Sequence, residues 1–168
     1  MENSLQRITS TYSDLEDRIC LAGVDSTGQT VVLWLTQRLL NRLVPPLCQW
    51  LERQLGTSPL SEVKQEFAQQ KAWAELELQE PVRAEADNPG ALVHSVDLKL
   101  ARSGMGLLFK DAGGSVVASL QLESKPLRQW LNILHVQCQR AAWQTDLWPS
   151  WVTDAQAPRP AGRPALLH

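Results

Sequence analysis

A chain of 168 residues with 43% hydrophobic and 20% charged side chains has the size and composition of one globular domain, which excludes disorder throughout. Sixteen basic against eighteen acidic residues leave a formal charge of −2, so the basic excess of a nucleic-acid or anionic-membrane binder is missing. No apolar stretch nears the ~20 residues that span a bilayer, and three scattered cysteines, Cys20, Cys48 and Cys138, do not form a disulfide framework; free thiols in a cytoplasmic setting are expected.

In chain order, residues 1–16 are polar, carry Glu2, Asp14 and Glu16, and lack the apolar run of a secretory leader. They are read as a segment ahead of a single domain over residues 17–152, with a proline-rich tail over 153–168. Residues 18–24 and 30–36 are β-rich runs on either side of Asp25-Ser-Thr-Gly-Gln29, a hairpin turn with Gly28 available for positive φ. In the second run Val31, Leu33 and Leu35 alternate with Val32 and Trp34, so both faces are apolar and both should be covered.

Thr36 suits a helix N-cap, and Leu40, Leu43, Leu47, Trp50, Leu51 and Leu55 recur at helical spacing up to Gly56. Pro45 and Pro46 inside this pattern predict a kink or two short helices. Ser58-Pro59 opens a second helix, for which Leu60, Val63 and Phe67 supply the buried stripe. Glu75-Leu-Glu-Leu78 then alternates briefly like a strand. The acidic series Glu75, Glu77, Glu80, Glu85 and Asp87 reads as its solvated edge, because paired catalytic carboxylates need a defined separation and a perturbed environment.

Val96, Leu98 and Leu100 alternate with polar residues, and glycine-rich turns lead to residues 107–110 and 116–122, a three-strand meander. Pro126 opens a long helix to about Thr145. The expected fold is α+β: an antiparallel sheet of hairpin plus meander, an inserted kinked helix pair and a long C-terminal helix. The strand-then-helix grammar at residues 33–35 and 120–122 hints at an internal repeat. In the order of its elements the chain is similar to the head domains of dimeric DNA-end-joining scaffold proteins; that likeness carries no residue across.

Signatures of catalysis are absent: no P-loop, H-E-x-x-H, C-x-x-C or G-x-S-x-G occurs. His135 and Cys138 stand three apart like metal ligands, but a cysteine beside Leu134 and Ala141 reads as core. No metal and no cofactor is expected. Seven tryptophans against one tyrosine and two phenylalanines are the distinctive usage. Trp34, Trp50 and Trp130 fit core patterns, whereas Trp143, Trp148 and Trp151 cluster past the last helix. On that helix Leu127, Trp130, Leu131, Leu134, Cys138, Ala141 and Ala142 share a sector for the sheet. Ile133, Val136 and Trp143 form a second apolar sector nearly opposite. Either residues 147–152 return over it or another chain does, most simply a second copy. The expected function is therefore a non-enzymatic interaction or assembly module, a homodimer through Ile133, Val136, Trp143, Trp148 and Trp151. The alternatives are a small-molecule-binding domain or an enzyme with an unrecognised site, and, with less support, a nucleic-acid binder.

Overall fold

The structure, a computed structural model, describes residues 3–155, so most of the proline-rich tail lies outside the described residues. Seven strands, Ser4–Ser13 (β1), Arg18–Asp25 (β2), Thr30–Leu35 (β3), Ala91–Leu92 (β4), Ser95–Leu100 (β5), Gly104–Lys110 (β6) and Val116–Glu123 (β7), form one sheet in the order β4-β3-β2-β1-β7-β6-β5. Its helices are Gln37–Gln54 (α1), Ser61–Ala74 (α2), Ser124–Arg140 (α3) and the short Ser150–Thr153 (α4). The hairpin and the meander do share a sheet, but that sheet is mixed: β1 pairs with β7, and β3 with β4, in parallel.

The parallel joint exists because of a strand the sequence did not suggest. Residues 4–13, read from their polarity as lying ahead of the domain, form β1 at the centre of the sheet. Several of their polar groups are buried or half-buried and partnered. Trp130 Nε1 donates to Ser10 Oγ at 3.0 Å, the Val82 amide to Thr9 Oγ1 at 2.8 Å, and the Tyr12 amide to Gln137 Oε1 at 2.9 Å. A polar strand can be interior when its hydrogen bonds are made there.

Two of the hairpins use one device. In β2–β3, Asp25 Oδ1 accepts from the amides of Thr27 and Gln29, and Gly28 takes φ +87°. In β6–β7, Asp111 Oδ1 accepts from the amides of Gly113 and Ser115, and Gly114 takes φ +84°. The aspartate caps its own turn and the glycine supplies the left-handed residue. Each hairpin is the end of a three-strand meander followed by a long helix: β1-β2-β3-α1 and β5-β6-β7-α3. The strand-then-helix order thus occurs twice in the topology, and the meanders meet side by side at β1 and β7.

Thr36 caps α1 as expected, its hydroxyl accepting from the Leu39 amide at 3.1 Å. Pro45 and Pro46 do not divide the helix, which runs through both. The carbonyls they leave without a helical donor belong to Asn41 and Arg42, both exposed, where water can take the bond. Leu40, Leu43, Leu47 and Leu51 pack with Leu21, Leu33, Leu35 and Phe109 on the helix side of the sheet.

Glu75-Leu-Glu-Leu78 forms no strand. Instead residues 75–80 run beside α3 at the β1–β7 split, and residues 82–90 cross the other face of the sheet. Val82 is buried beside Thr9, Trp34 Nε1 donates to the Pro89 carbonyl at 2.9 Å, and a Cβ on Gly90 would stand 2.8 Å from Val32 Cγ1. This crossing is why Val32 and Trp34 are apolar on the face away from the helices.

Candidate functional site

The C-terminal helix α3 was expected to carry the interface, and its surroundings place each candidate. The sector holding Leu127, Trp130, Leu131, Leu134 and Cys138 is buried in the main core, as its spacing implied, but Ala141 and Ala142, expected in the same sector, lie past the end of the helix, half-buried and exposed respectively. The second covered sector is another one: Arg128, Asn132 and His135. The returning segment lies over it. Trp148 is 7% exposed with its ring 5.4 Å from that of His135; Trp151 is 5% exposed beneath the Arg128 guanidinium, 5.4 Å from its ring centre. Asn132 Nδ2 donates to the Val152 carbonyl at 3.3 Å, and Trp151 Nε1 to Glu52 Oε1 at 3.4 Å. Trp148 and Trp151 are therefore core residues of this chain rather than surface anchors.

Ile133 and Val136 on α3, and Trp143 beyond its end, stay half-buried. The helix stops at Arg140, short of Thr145, because Ala142 adopts φ +56°: its amide donates to the Gln139 carbonyl and that of Trp143 to the Cys138 carbonyl. This is a Schellman stop built on alanine. It turns Trp143 onto the β1–β2 hairpin, edge-on to Tyr12 at 5.6 Å, with its Nε1 3.3 Å from Asp17 Oδ1. The Tyr12 hydroxyl donates to that same oxygen at 2.7 Å, which with partial burial pushes the phenol up to about 12.

Ile133 lines a groove of about 620 Å³ where β1 leaves β7. β1 bulges between Leu5 and Arg7 there, and Arg7 Nε is buried without a hydrogen-bond partner. Acids at Glu75, Glu77 and Glu80 and bases at Arg7 and Lys125 share the rim, with Glu75 and Lys125 paired at 2.6 Å. Elsewhere, burial pushes the Cys48 and Cys138 thiols up to about 12, so neither is an activated nucleophile. The three cysteines are free, and among the described residues no three His, Cys, Asp or Glu side chains converge on a metal position.

The largest departure from expectation is α2. Its stripe of Leu60, Val63 and Phe67 faces outward, exposed by 61%, 61% and 70%. The face turned inward is Gln65, Gln69, Ala72 and Trp73. Its glutamines meet a polar layer on α3: Arg128 Nη2 donates to Gln65 Oε1 at 2.8 Å and Nη1 to Gln69 Oε1 at 3.3 Å. Gln69 Nε2 donates to the Arg128 carbonyl at 2.8 Å and to Asn132 Oδ1. No carboxylate pairs with Arg128 among the described residues, and burial lowers its guanidinium to about 10. Gln65, Gln69, Ala72 and Trp73 also recur at helical spacing, so the sequence held two competing stripes. The readable clue was polar complementarity: glutamines four apart on α2 match Arg128 and Asn132 four apart on α3.

Comparison with protein-family models, curated proteins and solved structures finds no match. The site stands on its own geometry. Among the described residues no helix is long and apolar enough to cross a membrane.

Proposed function

We propose that the protein is a non-enzymatic assembly module, working in the cytoplasm, that docks a protein partner on the outer face of α2. One observation carries this reading: a helix that buries two glutamines while presenting a leucine, a valine and a phenylalanine to solvent. Apolar side chains scattered singly over a surface need no explanation, but three on one helical stripe form a patch of the kind partners cover. Helix-in-groove and helix-on-helix recognition use such i, i+3, i+7 anchors. Ile133 and Val136 on α3 remain a smaller half-buried group, and Trp143 beyond the helix packs on the β1–β2 hairpin. The docking face therefore moves from α3 to α2.

The test is the double variant Val63→Glu, Phe67→Glu. Both positions are exposed, so the urea midpoint should stay within about 0.5 kcal/mol equivalent of the parent, the range of ordinary surface changes. Assembly, measured by light scattering and by co-purification from the native host, should be lost. Unchanged assembly in that variant would remove the reading.

A second reading, a small-molecule site, rests on the groove at the β1–β7 split with its unpartnered Arg7 Nε. An increase in melting temperature with a carboxylate-bearing small molecule, abolished by Arg7→Gln, would favour it.

A further inference from the structure

We infer that the partner on α2 is a second copy of this chain, with the two α2 helices parallel and in register; the inference rests on reading α2 as the docking face. At about 100° per residue, Leu60 at the N-cap and Val63, Phe67, Gln70 and Ala74 within the helix follow one side in steps of three and four. These are the a and d positions of a heptad, the spacing of a helix-pairing seam. The seam has flanks of opposite charge. Lys64 and Lys71 fall on one side, and Glu62 and Glu66 on the other; all four are exposed. Neither ion pair found among the described residues uses any of them.

That arrangement selects an orientation. A two-fold axis perpendicular to the helices makes them antiparallel and sets each flank against its own copy, lysine to lysine and glutamate to glutamate. An axis along the helices makes them parallel and sets the glutamate flank of one against the lysine flank of the other. Glu66 then stands five residues before Lys71 of the partner subunit, the offset of a cross-helix ion pair between g and e positions. The seam is short: three large apolar side chains fall below the roughly 800 Å² per partner of a standard interface. The pair is accordingly weak and forms with rising concentration.

Analytical ultracentrifugation from the micromolar to the millimolar range should show a monomer–dimer equilibrium. Glu66→Lys should weaken it at least tenfold, and adding Lys71→Glu to that variant should restore it. Leu60→Cys and Phe67→Cys, made separately in a Cys20→Ser background, should each oxidise to a disulfide dimer, because only parallel helices in register bring both positions to their own copies. A monomer at every concentration, cross-linking at one position alone, or no restoration by the double charge exchange would overturn the inference. If wild type is monomeric yet Val63→Glu, Phe67→Glu releases a co-purifying protein, the second copy is refuted while the docking face stands. Thermal unfolding of each variant confirms that the comparison is between folded proteins.

Discussion

Two residues hold the end of α3 in unusual states. Ala142 takes a left-handed conformation that costs an L-residue roughly 1–2 kcal/mol, where glycine is the common choice. Ala142→Gly should therefore stabilise the protein by about 0.5–1 kcal/mol, after the greater freedom of glycine in the unfolded chain is subtracted; urea denaturation measures it, and a loss would mean the Schellman stop is not under strain. Nearby, Tyr12 donates to Asp17, the main cause of its raised phenol. Because it is the only tyrosine, its ionisation can be followed cleanly by tyrosinate absorbance. The midpoint should lie near 12 and fall toward the ordinary value in Asp17→Asn. The folded state then holds its phenolic proton where the unfolded chain has released it. This contribution to stability is whole below the ordinary tyrosine pKa and fades as pH rises from there through about 12.

At the scale of elements, α2, α3 and α4 share a buried polar layer beside the hydrophobic core. Arg128 is its centre, placed between Gln65, Gln69 and the ring of Trp151. Arg128→Met keeps the volume but leaves both glutamine oxygens without that donor, so it should cost about 1–3 kcal/mol, the penalty of buried unsatisfied groups. Chemical denaturation decides this. A more stable variant would show instead that desolvating the guanidinium outweighs its bonds, as happens with some buried charges. The layer also explains the orientation of α2. Turning Leu60, Val63 and Phe67 inward would bury them against Arg128 and Asn132, and would leave those groups without partners.

Across the whole molecule, two meander-and-helix units are held together through β1. It pairs with β2 of its own unit, with β7 of the other, and through Ser10 and Tyr12 with α3. Its backbone and side-chain bonds cannot be replaced locally. Deleting residues 1–13 should abolish cooperative unfolding altogether, read as loss of the tryptophan near-UV signal and of a sigmoidal urea transition. A truncated chain that still melts in one sharp step would show that the two halves hold without the central strand.

What was legible in the sequence was governed by short-range physics. Asp25 with Gly28 and Asp111 with Gly114 set two hairpins, Thr36 set the start of α1, and the period of Leu127, Leu131, Leu134 and Cys138 set the sheet side of α3. The turn and cap contacts lie within a few residues, and the α3 stripe is a local periodicity whose competing face is polar or half-covered. Tertiary structure alone decided the rest. The polarity of β1 reads as surface until Trp130, 120 residues away, donates to Ser10. The stripe of α2 reads as core until a polar layer 59 to 63 residues away claims the other side. Trp148 and Trp151 read as free until the chain turns back over Arg128 and His135. Periodicity says that a helix has a face to bury; which of two faces goes inward depends on hydrogen-bond partners that only the fold brings together.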